Sequence, residues 1–250
     1  MECPRAALFD LDDTLAESFK PPRPETLLRF KRLLEKVPCA IITAAGFVRI
    51  HDQFLPELIT SPKIGRLYVF PNSAAECYTY SGEVWEKIYS FALTPEERSM
   101  ITSAIRESAE KLKIGHPTYK SMIIDREAQV AFAAIGLDAP LDEKKAWDPD
   151  QVKRKKLKTA LEKQLPDFEV LIGGMTTIDI TRKGINKSYG VTWLAQKLEL
   201  KPEEMLYVGD ALYPGGNDEV VIATGVKTRP VTGPAETNAV MDELLGLCAV

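Results

Sequence analysis

The stretch "VGDALYPGGNDEVV", Val208–Val221, places two carboxylates, Asp210 and Asp218, around a sharp turn. An apolar run, Met205–Val208, leads into it and stops at Gly209-Asp210. Pro214 presets one turn position and Gly215-Gly216 accept positive φ, so the chain doubles back and delivers Asn217-Asp218 near the point it left. An acid at the end of a buried strand is expensive unless it is paired or bound to a cation. Whether this loop closes on a positive partner depends on what the other strands bring to the same edge.

Three further runs have the same character. Ala6–Phe9 ends at Asp10, Cys39–Ile42 ends at Thr43, and Leu67–Phe70 is the third. Short, continuous apolar runs suit parallel strands buried on both faces. Between the first two, Pro24–Lys36 carries Leu27, Leu28, Phe30, Leu33 and Leu34 at helical spacing. Strand–helix–strand alternation predicts an α/β domain with a doubly wound parallel sheet. The middle of the chain differs. Thr94-Pro95-Glu96-Glu97 is a helix start, and the helix is expected to run to about Lys113. Strand-like segments follow at Tyr119–Asp125 and Ala128–Ile135. A second helix opens at Asp148-Pro149, with Leu157, Leu161 and Leu165 four apart, and strands are expected at Phe168–Ile172 and Thr176–Thr181. This repeated helix–strand–strand order predicts an α+β module with an antiparallel sheet. After Gly184 a helix, Asn186–Leu198, restores the α/β pattern. The expected organisation is a core of residues 1–83 and 184–250 with an inserted cap of residues 84–183. Such a cap is expected above the C-terminal ends of the parallel strands, where open α/β sheets bind ligands. The basic run Lys153–Lys158 keeps its leucine in helical register and reads as a solvated helix face.

Composition removes several classes. With 45% hydrophobic and 27% charged residues and a net charge of −4, the chain has no global pull toward nucleic acid or an anionic membrane. Cys3, Cys39, Cys77 and Cys248 form no CxxC pair and read as reduced thiols. His51 and His116, the only histidines, lie far apart, which argues against a His-based metal site or a Ser-His-Asp triad. The N-terminus shows no signal peptide and no apolar run approaches the ~18–20 residues that span a bilayer. The expectation is a cytoplasmic protein with a small anionic substrate, no nucleic-acid partner and no membrane partner.

The strand ends carry the chemistry. Asp10 and Asp12 follow the first strand, where the backbone can curl to turn both into one pocket; a solvated acidic turn is the plain alternative. The Thr43 hydroxyl could bond a phosphate or cap the next segment. Lys187 lies in the first turn of a helix, where it opposes the helix dipole and a bound anion would explain it. Asp10, Asp12 and Asp210 on one edge repel each other unless a divalent cation is present, and hard oxygen ligands with phosphate suit Mg²⁺.

"FDLDDTL", Thr43, Lys187 and "GDALYPGGND", in that order, resemble the four motifs of the haloacid dehalogenase (HAD) superfamily. The cap between the second and third motifs resembles subclass IIB, with its C2B-type cap on a HAD-like Rossmannoid core. The PGGND loop, "DREAQVAFAAIG" and "IGGMTTIDITRKGINKSYG" resemble the eukaryotic-type phosphomannomutase family over nearly the whole chain. The resemblance implies Asp10 as the nucleophile that forms an aspartyl-phosphate and Asp12 as general acid and then base. It implies phosphate binding by Leu11, Thr43 and Lys187. It implies Mg²⁺ binding by Asp10, Asp12 (through its backbone carbonyl), Asp210 and Asp218, and substrate contacts from Arg126, Thr177, Asp179 and Asn217. A homodimer is also implied.

Three departures bear on the reaction. Phe19, beside Lys20, stands where the family has an arginine after its first motif, and Leu137 and Lys144 stand where its cap has two more. Lys20, Lys144 and Lys145 are the candidate replacements. Asp13 replaces the glycine of DxDGT. A mutase must grip a bisphosphate by its distal phosphate, and Lys for Arg is no neutral exchange at a bidentate site. The expectation is therefore a Mg²⁺-dependent phosphatase acting on a small sugar phosphate. The alternative is a phosphomannomutase interconverting mannose 6-phosphate and mannose 1-phosphate.

Overall fold

The structure is a computed structural model that describes residues 2–115, 119 and 122–248. Strand β1 (Ala6–Phe9) leads through helix α1 (Pro24–Lys36) to β2 (Cys39–Ile42). Two short helices, α2 (Phe47–Gln53) and α3 (Leu55–Leu58), precede β3 (Leu67–Phe70), and β4 (Glu76–Ser81) and β5 (Val84–Ser90) form a hairpin. Then come α4 (Pro95–Leu112), β6 (Ile123–Asp125), β7 (Val130–Ala133), α5 (Leu141–Trp147), α6 (Val152–Gln164), β8 (Phe168–Ile172) and β9 (Thr177–Arg182). The chain continues with α7 (Lys187–Lys197), β10 (Met205–Gly209), β11 (Lys227–Pro230) and α8 (Pro234–Leu247). It divides into two units, one up to Ser90 together with Lys187 onward, the other Phe91–Asn186.

The first unit holds a seven-stranded sheet in the order β11-β10-β1-β2-β3-β4-β5. Its first five strands are parallel, and β4 and β5 add antiparallel at one edge. Both faces of the central strands are covered, which is why they read as unbroken apolar runs. Ala7, Phe9, Cys39, Ile41, Leu206 and Val208 pack with Phe30, Leu33 and Leu34 of α1 and Val240, Met241 and Leu244 of α8. The alternate residues, Ala6, Leu8, Ala40, Ile42, Met205 and Tyr207, pack with Val191, Leu194 and Ala195 of α7.

The hairpin shifts the expected boundary. Val84–Ser90, assigned from sequence to the insert, pairs with β4 in the large sheet. The turn between them, Gly82-Glu83, has φ of 55° and 67° at its two central residues. That is the conformation a two-residue hairpin needs to match strand twist. The unit boundaries accordingly fall at Ser90/Phe91 and Asn186/Lys187.

The second unit is a four-stranded antiparallel sheet, β6-β7-β9-β8. Helices α4 and α6 cover one face: Ile101, Ile105, Leu157 and Leu161 pack with Val130, Phe132, Val170, Ile178 and Ile180. Helix α4 begins with a capping box, in which the Glu97 N–H donates to Thr94 Oγ1 (3.2 Å) and the Thr94 N–H to Glu97 Oε2 (2.7 Å). The strand expected at Tyr119–Asp125 is observed as Ile123–Asp125; Lys120 and Ser121, like His116, lie outside the described residues. The helix expected to open at Asp148-Pro149 begins at Val152, and the Asp148 carboxylate accepts the N–H groups of Lys153 and Arg154 (2.9 and 3.0 Å). The basic run is not uniformly solvated. Arg154 is buried within it and ion-paired to Asp148 at 3.0 Å.

The cysteines also depart from expectation. Cys39 and Cys77 are free and buried, but Cys3 and Cys248 form a disulfide. Cys3 leads into β1 at the middle of the sheet, and α8 packs against α1 beside it, so two residues 245 apart in sequence meet. Spacing alone carries no trace of such a pairing. Among the described residues no helix is long and apolar enough to cross a membrane.

Candidate active site

Strands β1, β2 and β10 are parallel neighbours, so their C-terminal ends deliver Asp10, Thr43 and Asp210 to one edge of the sheet. The loop after β10 returns Asp218 to the same place. Gly209 makes this possible: a Cβ there would lie 2.4 Å from Asp218 Oδ2. The Ala211 N–H donates to that oxygen (3.1 Å), and the buried Tyr207 hydroxyl donates to Oδ1 (2.5 Å). Carboxylate oxygens of Asp10, Asp210 and Asp218 lie within 4.8 Å of one another.

Lys187 answers the charge. Its ammonium, 2% exposed, lies 2.7 Å from both Asp10 Oδ1 and Asp218 Oδ1. The first-turn lysine that opposes its own helix dipole is held by two buried carboxylates. Burial alone would lower the Lys187 pKa, but Asp10 and Asp218 outweigh it and raise it. Burial pushes Asp10 well above the ordinary carboxylate range; Lys187 pulls it down, while Asp218 and Asp210 push it further up. Burial and then Asp218 push Asp210 up to about 6. Three carboxylates against one ammonium leave two negative charges in a buried cluster, which matches one divalent cation. Asn217 Oδ1, next to Asp218, is buried without a hydrogen-bond partner. The residues present therefore fit a hard divalent ion.

Thr14, from the first motif, ties β1 to the opening loop. Its hydroxyl accepts the Asp210 N–H (3.0 Å) and donates to Asp210 Oδ1 (3.3 Å). Thr43 is buried, and its hydroxyl accepts the Ala45 N–H (3.1 Å), which leaves the hydroxyl hydrogen able to donate. The Leu11 carbonyl accepts the N–H groups of Leu15 and Ala16, closing the turn after β1. Asp13 has φ 55°, the left-handed region that explains the usual glycine. Its carboxylate offsets the strain by accepting the Ser18 N–H (3.1 Å) and hydroxyl (2.7 Å).

The carboxylate of Asp12 is engaged elsewhere. Arg49 of α2 grips it with both terminal nitrogens, Nη1 to Oδ2 at 2.7 Å and Nη2 to Oδ1 at 2.5 Å. The Phe19 N–H also donates to Oδ1 (3.0 Å). Sequence reading missed Arg49, because α2 is short and a lone arginine in it carries no motif. Lys20, the expected substitute for the missing arginine, is exposed and paired with Glu17, as is Arg23.

In the second unit, Arg126 Nη1 donates to Gln129 Oε1 (2.6 Å) in the β6–β7 turn. Thr177 and Asp179 share the β9 face opposite the helices. The Gly173-Gly174 turn folds onto them: a Cβ on Gly173 would lie 2.2 Å from Asp179 Oδ2 and 2.4 Å from Thr177 Oγ1. Arg154 holds that turn by donating to the carbonyls of Gly173 and Gly174. Lys144 is buried and donates to the Leu137 carbonyl (2.6 Å), while Lys145 is exposed.

A profile of the family described as "Eukaryotic phosphomannomutase" matches residues 26–247. The chain belongs to the eukaryotic phosphomannomutase family. A phosphomannomutase of Spinacia oleracea is 25% identical over 239 residues, covering 92% of each chain. Two solved structures share the fold. The IMP-nucleotidase of Plasmodium falciparum superposes with a TM-score of 0.73 at 15% identity, over 98% of this chain and 71% of that one. A haloacid dehalogenase-like hydrolase of Bacteroides thetaiotaomicron gives 0.64 at 13% identity, over 96% and 99%. The family and the fold make the chain a HAD phosphoryl-transfer enzyme. The family name favours the mutase over the phosphatase expected from the missing arginines.

Proposed function

We propose that the chain is a phosphomannomutase that interconverts mannose 6-phosphate and mannose 1-phosphate through an aspartyl-phosphate on Asp10. The observation that carries this reading is the buried Asp10–Lys187–Asp218 cluster in a chain that matches the family over nearly its whole length. Lys187 pulls Asp10 toward its ionised form and orients it, and in that form one carboxylate oxygen attacks phosphorus. With a hexose bisphosphate bound, the P–O bond to one sugar oxygen breaks, Asp12 gives that oxygen a proton, and a hexose monophosphate is left. In the return step Asp12 takes the proton from the accepting sugar hydroxyl, and the phosphoryl group leaves Asp10. The Thr43 hydroxyl and the Leu11 backbone steady the phosphoryl oxygens. Asp10, Asp210 and Asp218, the Asp12 backbone carbonyl and Asn217 would hold Mg²⁺, which offsets the charge on those oxygens. To Arg126, Thr177 and Asp179 we assign recognition of the sugar phosphate.

A phosphatase is the second reading, favoured by one observation: where the family's cap has two arginines, this chain has Leu137 and a buried Lys144 bound to its carbonyl. One assay separates the two. The protein is incubated with Mg²⁺ and mannose 6-phosphate, with and without a hexose bisphosphate, and free phosphate and mannose 1-phosphate are followed separately. Mannose 1-phosphate should dominate and need the bisphosphate; predominant phosphate release would reverse the order of the readings.

The cluster also predicts a pH-dependent response to metal. Asp10 and Asp210 have raised pKa values, Asp210 to about 6, so in the metal-free protein both favour folding at low pH; the Asp210 contribution is lost as pH rises through about 6, and that of Asp10 as pH rises past the ordinary carboxylate range. A bound dication should restore it. Mg²⁺ at ~100 times its Kd adds about 2.7 kcal/mol, which raises Tm by about 5–10 °C for a chain of this size. Thermal scans should show that gain near pH ~7.5 and a clearly smaller one near pH ~5, below the Asp210 pKa. Equal gains at both pH values would contradict the assignment of these carboxylates as metal ligands.

A further inference from the structure

Asp12 and Arg49 form a bidentate ion pair at the edge of the site, and it is partly open to solvent, with side chains 29% and 21% exposed. The guanidinium is held in place on its other sides. Its Nε donates to Gln53 Oε1 (3.3 Å) and its carbon lies 5.2 Å from the centre of the Phe19 ring. A guanidinium fixed in this way presents its two-pronged edge to one acceptor, and a phosphate fits that edge as a carboxylate does. A phosphate that takes the place of the carboxylate keeps both guanidinium donors paired. The nearby cations have other work. Lys187 is committed to Asp10 and Asp218, and Lys20 and Arg23 to Glu17.

We propose that Arg49 is a specificity-determining ligand for the second phosphate of a hexose bisphosphate, which takes the place of the Asp12 carboxylate on the guanidinium. The inference rests on the phosphoryl-transfer reading and adds a residue to it. The dianionic phosphate carries more charge than a carboxylate, so it wins the exchange when its sugar is held by the transferred end. The same exchange frees Asp12 from its cation. Phe19 contributes its ring as the platform on which the fork lies, and its left-handed backbone, φ 63°, directs its N–H to Asp12.

The test compares ligands with one and two phosphates. Binding of glucose 1,6-bisphosphate and of glucose 1-phosphate is measured calorimetrically with Mg²⁺ on the Asp10→Asn protein, which holds ligands without turnover, and on the same protein carrying Arg49→Gln. The bisphosphate should lose about 10- to 100-fold in affinity, the range for a charged bidentate contact. That loss should exceed the loss for the monophosphate by at least about tenfold. Arg49→Lys, a point charge without the fork, should recover only part of it. Equal losses for the two ligands would make Arg49 a brace for Asp12 and overturn the proposal. So would a protein retaining Arg49 that binds the bisphosphate no better than the monophosphate. Unfolding curves of each variant show whether a loss comes from misfolding. If the protein with Asp10 intact turns over no phosphate ester, the phosphoryl-transfer reading fails, whatever the Arg49 result.

Discussion

Asp10→Asn should lose at least about 10⁴-fold in turnover of any phosphate ester while keeping its fold, since removing a covalent nucleophile costs on that order. The carbonyl of the introduced amide can still accept a hydrogen bond from the Lys187 ammonium, so the buried contact survives. The substitution also removes a carboxylate whose pKa is raised by burial and by Asp218 and Asp210. A raised pKa means that ionising Asp10 at neutral pH opposes folding. The metal-free variant should therefore be at least as resistant to urea as the parent at neutral pH, and no more so at low pH, where the acid is protonated in both states. Turnover and urea midpoints measured together check both halves. Phosphate release that persists in the variant would remove Asp10 from the chemistry.

Lys187→Met should have the opposite signature. It keeps the length of an apolar stem and deletes the charge between two buried acids, Asp10 at 4% and Asp218 at 0% exposure. Breaking a buried ion pair by removing one partner destabilises by about 3–5 kcal/mol, because the remaining charge has no counterion. The loss should be largest near neutral pH and shrink as the pH falls. Without the ammonium the folded-state pKa of Asp10 rises further, and a raised acid favours the folded state only while it is protonated. Urea unfolding across the acid range reads this directly, and Mg²⁺ should recover part of the midpoint. A variant as stable as the parent near pH ~7.5 would mean that the ammonium does not neutralise the cluster.

The parts of the fold legible in sequence share one physical property. The strands at Ala6–Phe9, Cys39–Ile42 and Leu67–Phe70 are covered on both faces, so burial writes an unbroken apolar run. Helix α4 announces itself because its capping box is a local arrangement of two residues, Thr94 and Glu97. Edge strands are hidden for the converse reason. Val84–Ser90 is largely exposed and Lys227–Pro230 is polar, so neither offers an apolar signal. The strand-end acids could be read because strand ends are where an α/β sheet binds ligands. Their partners could not. Tyr207 looks like any strand aromatic until its hydroxyl is found on Asp218, and Arg49 is 37 residues from the Asp12 it grips.

The disulfide between Cys3 and Cys248 has a topological consequence. It turns nearly the whole polypeptide into a covalent ring. A single proteolytic nick, at the exposed Gly82-Glu83 tip for instance, opens the ring without releasing either fragment. The nicked protein would run as one species on a denaturing gel and separate into two only after a thiol reductant has cut the remaining link.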